Sequence, residues 1–236
     1  MPYAAVNGLN MYYEVHGAGS PVLLLHGGGS SIPEKWIPFF TDRFQVIAME
    51  QMGHGRTADA MGRPFHYHDM GEDTVELMRQ LGIEAAAVVG YSDGGNIGLD
   101  IAIHHPERVT RLVVTGGNAR PNGYRAENLE EIDDPIPDDA PVPDAYARLS
   151  PDGPNHWPAL LRRMQPMWAT EPDFTREQLQ GIAAPTLLII GDRDIVRPEH
   201  AVEMFATIPE AQLCIVPNAG HGVLPKETVL TFLLEA

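Results

Sequence analysis

The chain has 236 residues, and its 32 acidic residues outnumber its 16 basic ones, which leaves a net charge of −16. This charge disfavours binding to the phosphate backbone of nucleic acids and to anionic membranes. A hydrophobic content of 44% with 20% charged residues is typical of a chain with a packed core, and it excludes a disordered one.

The sequence also limits where the protein works. Its single cysteine, Cys214, cannot form an internal disulfide bond, which suits a reducing compartment. No basic stretch followed by an apolar one begins the sequence, and no apolar run approaches the ~20 residues of a membrane span. We therefore expect a cytoplasmic protein without membrane or nucleic-acid partners. A monomer and a homodimer are both compatible with the sequence.

Short apolar runs alternate with helical patterns along most of the chain. Strands are predicted at residues 4–6, 11–16, 22–25, 44–49, 85–90, 112–115, 186–190 and 213–216, and helices at 68–81, 95–105, 198–206 and 227–234. The first two strands are expected to form an antiparallel hairpin joined around residues 7–10, N-G-L-N, at the edge of the sheet. The later strands are unbroken apolar runs, typical of a parallel sheet buried on both faces. The pattern predicts a single α/β domain over residues 1–236 with a mainly parallel, doubly wound sheet.

This alternation breaks at residues 118–171, which we call the cap segment. Prolines and acidic residues crowd it, and no strand-like run interrupts it. Such a stretch is too long for a simple loop in a compact domain, so we predict an inserted helical cap over the sheet. Residues 157–164 have the best helical pattern within it.

A serine stands between a predicted strand and a predicted helix, where residues 90–94 read G-Y-S-D-G. In this context G-x-S-x-G indicates a nucleophile elbow, because glycines at both ends permit a sharp turn that exposes the serine hydroxyl. We predict Ser92 as the nucleophile and the backbone N–H of Asp93 as a donor to the oxyanion. The Asp93 carboxylate is explained equally well by helix electrostatics and by contact with a substrate.

A nucleophilic serine needs a base, and the base needs a group that orients it. Asp192 and Asp194 follow the predicted strand at 186–190, and His221 lies in a loop after the last strand. The order Ser, Asp, His occurs in serine hydrolases, and all these positions lie beyond the carboxyl ends of strands. The pattern predicts His221 as the base and leaves both aspartates open as its partner.

Several motifs together resemble the α/β-hydrolase superfamily, in the group of bacterial carboxylesterases, haloperoxidase-like hydrolases and valacyclovir-hydrolase-like proteins. The motifs are L-H-G-G at 25–28, G-H-G-R-T at 53–57, G-Y-S-D-G-G at 90–95, G-D-R-D at 191–194 and G-H at 220–221. The resemblance covers nearly the whole chain and implies the α/β-hydrolase fold. It also implies Asp194 as the acid of the triad and the Gly28 N–H as the second oxyanion donor. The chain departs from the pattern at Glu50, where many relatives carry aspartate.

These features predict a serine hydrolase that cleaves small carboxylic esters through an acyl-enzyme intermediate. No cofactor is expected, and no metal ion either, because His66 and His68 have no metal-ligand partners at a clear spacing. Amide or peptide hydrolysis, carbon–carbon bond hydrolysis and perhydrolysis could use the same three residues. The alternative from another class is a receptor of this fold that binds its ligand without turnover.

Overall fold

Eight strands form one sheet in the computed structural model of the protein, which describes residues 2–235. The strands are β1 (Tyr3–Val6), β2 (Leu9–His16), β3 (Ser20–Leu25), β4 (Phe44–Met49), β5 (Ala86–Tyr91), β6 (Val109–Thr115), β7 (Thr186–Gly191) and β8 (Ala211–Val216). Their order across the sheet is β1-β2-β4-β3-β5-β6-β7-β8, and β3 to β8 run parallel to one another. The predicted mainly parallel sheet is confirmed.

The predicted hairpin forms one edge of the sheet. Val6 pairs with Leu9, so the turn consists of Asn7 and Gly8, whose φ angles are 46° and 88°. A turn of this kind needs positive φ at both central positions, which asparagine and glycine tolerate best. Strand β2 then pairs antiparallel with β4 and joins the hairpin to the parallel strands.

Helices cover both faces of the sheet, as a doubly wound fold requires. They are α1 (Ile37–Phe40), α2 (Tyr67–Gln80), α3 (Asp93–His104), α4 (Ala126–Asp133), α5 (Asp144–Leu149), α6 (Trp157–Thr170), α7 (Arg176–Gln180), α8 (Pro198–Phe205) and α9 (Lys226–Leu234). Helices α2, α3 and α8 contribute to the core on one face, and α1 and α9 to the core on the other. Among the helices of residues 2–235, none has the length and apolar character needed to cross a bilayer.

The helix behind the serine begins earlier than predicted. It starts at Asp93 rather than Gly95, because the reversal of the chain is completed within one residue, Ser92. The N–H groups of the first helical turn therefore begin directly beside the serine. The two glycines at 94 and 95 belong to the helix and not to the turn.

Helix α6 continues beyond its predicted end at residue 164 and runs through Pro166 to Thr170. Pro166 is exposed, while Met164 and Met167 on either side of it are buried. A proline inside a helix removes one backbone hydrogen bond. The apolar face nevertheless continues across it, and the packing of that face keeps the helix intact.

The prediction that every later strand is buried on both faces was wrong for β8. Ile215 on this strand is 43% exposed and Cys214 is only half-buried. The reason is topological, because β8 is the last strand in the sheet and has a neighbour on one side only.

Two short helices, α1 and α7, have no counterpart in the sequence prediction. Helix α7 had a readable signal, a threonine followed three residues later by glutamine. The Thr175 hydroxyl accepts the Gln178 backbone N–H at 3.2 Å, and the Gln178 side chain accepts the Thr175 N–H at 2.8 Å. This reciprocal pair is a capping box, which marks a helix start.

The cap segment lies between β6 and β7 and contains α4, α5 and α6. Its acidic side chains between residues 127 and 144 are exposed, so they face solvent. Helix α6 is its most buried element and shares the core cluster that α2 and α3 form on the sheet. That packing brings α6 over the carboxyl ends of the central strands.

Candidate active site

Ser92 occupies a strained turn between β5 and α3. Its φ and ψ angles are 52° and −120°, which a non-glycine residue rarely adopts. A Cβ at Gly90 would lie 2.2 Å from the carbonyl oxygen of Gly94, and one at Gly94 would lie 2.3 Å from that of Leu25. Both glycines are therefore required by the close approach of backbone segments, which the G-x-S-x-G pattern indicated.

Ser92, His221 and Asp194 form one chain of hydrogen bonds, which we call the reactive row. Ser92 Oγ is 2.9 Å from His221 Nε2, and His221 Nδ1 is 2.7 Å from Asp194 Oδ1. With the Nδ1 proton donated to Asp194, Nε2 is left as the acceptor for the serine hydroxyl. The row has the connectivity that a serine, its base and its orienting acid need.

The two candidate aspartates occupy different places. Asp192 lies away from the imidazole, and its Oδ1 accepts the backbone N–H of Ala219 at 3.2 Å, in the loop before His221. Asp194 is 1% exposed, and its Oδ1 also accepts the Val196 N–H at 3.1 Å. The side chain that contacts His221 is thus Asp194, as the family resemblance implied, while Asp192 braces the loop.

Gly116 is a residue of the site that sequence reasoning missed. It follows β6 and has φ of 63°. A Cβ at this position would lie 2.8 Å from both Nδ1 and Cε1 of His221, and 3.4 Å from Asp194 Oδ2. The imidazole therefore packs directly on this glycine. A glycine just after a strand was the only signal, and it has no motif around it.

The backbone N–H groups of Gly28 and Asp93 are available near the serine. Within residues 2–235 neither group has an assigned hydrogen-bond acceptor. The two residues are close, because a Cβ at Gly28 would lie 2.3 Å from Asp93 Oδ2. Two such donors beside the partly buried Ser92 hydroxyl have the composition of an oxyanion hole.

The Asp93 side chain is buried and fully engaged. Its Oδ1 accepts the Tyr67 hydroxyl at 2.8 Å, and its Oδ2 accepts Trp168 Nε1–H at 3.0 Å. Burial raises the pKa of this carboxyl group, although these donors oppose the effect. Asp93 thereby joins α2 and the cap segment at the floor of the site, an arrangement the sequence left undecided.

Two buried histidines support the loop that carries Gly28. His54 Nε2 accepts the Gly29 N–H at 2.9 Å, and His26 Nε2 accepts the Gln51 N–H at 3.0 Å. Burial, reinforced by the neighbouring His54, lowers the pKa of His26 to about 3. A neutral ring is needed for this acceptor role, so His26 and His54 hold the loop without carrying charge.

Three cavities surround the serine. The one that contains it measures about 250 Å³ and is lined mainly by Tyr124, Ile132, Trp168, Ile195, Tyr91 and His221. A cavity of about 230 Å³ shares the first four of these residues and extends outward to Glu131 and Gln165. A third, of about 320 Å³, lies on the other side of Tyr91 and His221, against Trp36, Pro33 and Ser31. The site can hold two groups, one on each side of the imidazole.

A group of three potential metal ligands lies apart from Ser92. Within residues 2–235, the side chains that group three potential metal ligands are His68, Asp100 and His104, on α2 and α3. His66 is not part of that group; its Nδ1 is hydrogen-bonded to Glu171 instead.

The chain is similar in sequence to known hydrolases. A sequence model of the α/β hydrolase fold family matches residues 20–157. The chain is similar to a RutD protein of Azorhizobium caulinodans, provisionally named as a carbamate hydrolase. The two are 31% identical over 249 aligned residues, which cover 94% of this chain and 92% of that protein.

Solved structures show the same architecture. A hydrolase from Pseudomonas aeruginosa PA01 matches with a TM-score of 0.76 at 25% identity, covering 99% of this chain and 98% of that one. An esterase, EaEST, from Exiguobacterium antarcticum matches with a TM-score of 0.79 at 21% identity, covering 99% of both chains. At that identity the second similarity concerns the fold alone.

Proposed function

The chain belongs to the α/β-hydrolase fold family, and on this basis we propose that it is a serine hydrolase that cleaves carboxylic esters of small molecules. Ser92 is the nucleophile, His221 the base and Asp194 the orienting acid of this proposal. Family membership supports hydrolysis. The arrangement of the three side chains supports the choice of a serine mechanism.

Acylation begins when the Ser92 hydroxyl attacks the ester carbonyl and its proton passes to His221 Nε2. Asp194 holds the ring by its Nδ1 proton and stabilises the imidazolium that forms. The carbonyl oxygen becomes an oxyanion and accepts the N–H groups of Gly28 and Asp93. The bond to the alcohol oxygen then breaks, and the alcohol leaves with the proton from His221.

Deacylation repeats these steps with water as the nucleophile. His221 takes a proton from the water as the water attacks the acyl carbon, and the same two N–H groups stabilise the second oxyanion. The bond to Ser92 Oγ breaks, and His221 returns the proton to it. The free acid leaves, and the enzyme is restored without a cofactor.

One observation carries the proposal, the 2.9 Å separation of Ser92 Oγ and His221 Nε2 at a turn with φ of 52°. Backbone strain of this kind costs on the order of 1–3 kcal/mol and persists where the surroundings enforce it. A glycine-rich turn without a catalytic role would have no need of a strained serine aimed at a histidine that contacts a buried aspartate. The same feature counts against the receptor alternative.

Carbamate hydrolysis is a second candidate, because the relative from Azorhizobium caulinodans carries that activity in its name. A carbamate presents a carbonyl group that Ser92 could attack in the same way. The nitrogen beside that carbonyl makes it less electrophilic. Amides, carbon–carbon bonds and peracid formation remain alternatives that use the same side chains.

The test combines a substrate panel with covalent labelling. We expect p-nitrophenyl acetate to be turned over faster than matched aryl carbamates, anilides and lactones. We also expect phenylmethylsulfonyl fluoride to abolish turnover and to label the peptide that contains Ser92. The Ser20→Ala variant is the control, because Ser20 is exposed at the start of β3, at the opposite end of that strand from the loop that carries Gly28. Preferred carbamate turnover would favour the second candidate, and neither turnover nor labelling would leave a receptor.

A further inference from the structure

A compact group of histidine and aspartate side chains lies between α2 and α3, outside the site described above. His68 Nδ1 is 3.1 Å from Asp100 Oδ1, and His104 Nδ1 is 3.3 Å from Asp100 Oδ2. One potential ligand atom from each residue lies within 4.8 Å of the other two. Asp100 and His104 are four residues apart and share one face of α3, which His68 on α2 faces.

The fold holds the carboxylate of this group in place. Asp100 is 3% exposed, although it is a charged residue, and it lies where α2 and α3 pack together. A Cβ at Gly71 would lie 2.8 Å from Asp100 Oδ1, so the glycine in α2 gives the carboxylate its room. Glycine in a helix interior destabilises the helix by about 1 kcal/mol relative to alanine. Here it permits close packing around a fixed acid.

The two rings lie close to each other and to one carboxylate. The ring centroids of His68 and His104 are 4.7 Å apart. His68 Nδ1 faces Asp100 Oδ1, while His104 Nδ1 lies between Asp100 Oδ2 at 3.3 Å and the Asp100 backbone carbonyl oxygen at 3.0 Å. A divalent ion bound by the two rings and the carboxylate would replace that contact with the backbone and neutralise the buried negative charge.

We propose that His68, Asp100 and His104 bind a divalent transition-metal ion, with Zn²⁺ as the representative case. Two imidazoles and one carboxylate are the ligand types that zinc prefers. Tetrahedral zinc with bonds of about 2.0–2.2 Å separates its ligand atoms by about 3.3–3.6 Å. Each ring nitrogen already lies at about this distance from one carboxylate oxygen, 3.1 Å for His68 to Oδ1 and 3.3 Å for His104 to Oδ2. With one ligand atom taken from each residue, the three atoms lie within 4.8 Å of one another, so rotation of the exposed histidine side chains brings them to a common ion. Calcium and magnesium, which prefer all-oxygen sites, fit it poorly.

The surroundings supply an outer partner for His68. Glu72, one turn further along α2, has Oε1 at 3.9 Å from His68 Nε2 and at 2.6 Å from His105 Nε2. A carboxylate on the far side of a metal-bound imidazole orients the ring and increases its basicity. Both histidine side chains are partly exposed, so the fourth position of a tetrahedral ion would be open to water.

The site would link two helices rather than take part in the reaction at Ser92. Asp100 is eight residues beyond Ser92, a distance of roughly 12 Å along the axis of α3 at 1.5 Å per residue. An ion bound there cross-links α2, which carries Tyr67, to the helix that begins at the nucleophile. The sequence indicated no metal site, because these ligands come from two helices and so leave no characteristic ligand spacing within one segment.

Zinc binding by the untagged protein, stripped with a chelator and titrated by calorimetry near neutral pH, tests the proposal. We expect one zinc ion per chain and a zinc-dependent rise in Tm. Loss of an outer partner of a ligand costs about 10- to 100-fold in metal affinity, so His68→Gln or His104→Gln is expected to raise Kd at least about 100-fold. Magnesium and calcium at the same concentration should not raise Tm.

His16→Gln is the matched control, because His16 is a surface histidine paired with a single carboxylate, that of Glu14. It should leave zinc affinity unchanged. The proposal is overturned if the wild-type protein binds no zinc, or if both variants at positions 68 and 104 bind it as the wild type does. Zinc held by His221 and Asp194 instead would survive both substitutions and would count as that overturning result. His68 and His104 are exposed, so both variants are expected to fold.

Discussion

The loops that carry the reactive row and the cap segment above them are held in place by different means. A Cβ at Gly191 would lie 2.1 Å from the carbonyl oxygen of Ala219, so the loops bearing Asp194 and His221 touch backbone to backbone. The elbow at Ser92 is packed in the same way. Positions fixed by backbone contact cannot adjust without moving a strand end, which suits groups that must stay within a few tenths of an ångström.

Helix α6 of the cap segment is attached through side chains instead, whereas Arg125 near the start of the segment donates its backbone N–H to the carbonyl oxygen of Ile195 at 2.8 Å. Arg163 on α6 forms an ion pair with buried Asp59 and donates to the carbonyl oxygen of Ala60 at 3.0 Å. His156 Nε2 also contacts Asp59 Oδ2 at 2.7 Å. Glu171 at the end of the segment accepts the Tyr67 backbone N–H at 3.1 Å. The groups at Ser92 are thus set by backbone contact, whereas the wall that α6 forms above them is set by replaceable side chains.

The largest effect is expected within the backbone-set loops. Asp194→Asn should lower kcat/KM by about 10⁴-fold, because an amide favours the wrong histidine tautomer and cannot stabilise an imidazolium. Asp192→Asn is the matched control two residues away, and it should cost less than about tenfold because Asp192 only braces the loop. Steady-state kinetics on p-nitrophenyl acetate measures both. An inactive Asp192→Asn variant together with an active Asp194→Asn variant would assign the orienting role to Asp192 instead.

A smaller effect is expected from adding one methyl group beneath the imidazole. Gly116→Ala should reduce kcat/KM by about 100-fold, because a Cβ 2.8 Å from the ring must displace it and a shift near 1 Å costs that much. Gly82→Ala controls for the strain of positive φ, since φ is 70° there and a Cβ meets nothing within 4 Å. Equal kinetics for the two variants would mean that the imidazole is not held by backbone contact.

Cutting an attachment of the cap segment should affect stability and KM more than the chemical step. Arg163→Gln leaves Asp59 with one partner fewer, which should lower the free energy of unfolding by about 2–3 kcal/mol. Neighbouring Arg162 pairs with exposed Asp138, so Arg162→Gln should change it by less than about 1 kcal/mol. Urea unfolding and Michaelis–Menten kinetics separate the effects. A collapse of kcat in the Arg163 variant, with KM unchanged, would argue that the cap segment positions reacting groups.

The mildest expected effect concerns pH and the start of the cap segment. His200 Nε2 accepts the Ala119 N–H at 3.0 Å, and burial, aided by Arg120, lowers the pKa of His200 to about 4. The unfolded chain binds this proton near pH 6.5, so stability should be present above that value and fall as pH decreases toward 4. Between pH 7 and 5 the loss amounts to about 2 kcal/mol.

His200→Gln removes that titration, so its free energy of unfolding should fall less steeply with acid than that of the wild type. Denaturant unfolding at a series of pH values gives both curves. Parallel curves would show that the buried imidazole contributes nothing to the pH dependence. A steeper curve for the variant would contradict the sign of the argument.

The same contrast explains what could be predicted from the sequence. Ser92 and His221 follow apolar strands and stand among glycines, and such local signals survive in the order of residues. Asp194 needed the family resemblance, because spacing alone could not separate it from Asp192. Gly116 was missed because its role depends on an imidazole more than 100 residues away, with no pattern of its own.

The cap segment was harder to predict because its contacts are made by side chains across long sequence separations. Trp168 meets Asp93 at a separation of 75 residues, and Arg163 meets Asp59 at 104. Neither pair leaves a periodic signal, so the sequence predicted an inserted helical region but not which of its residues line the cavity. Helix α6 runs beyond its predicted end at residue 164 for a related reason, since burial on one face outweighs the local effect of Pro166.

Rapid-quench mass spectrometry of the protein mixed with p-nitrophenyl acetate tests the central claim, covalent catalysis by Ser92, most directly. The account predicts an early adduct with the mass of one acetyl group, mapped to the peptide that contains Ser92, formed at least as fast as the acid is released. The folded Ser92→Ala variant should show neither the adduct nor turnover above a residual level. Full turnover by that variant, or turnover by the wild type with no adduct on Ser92, would contradict the account.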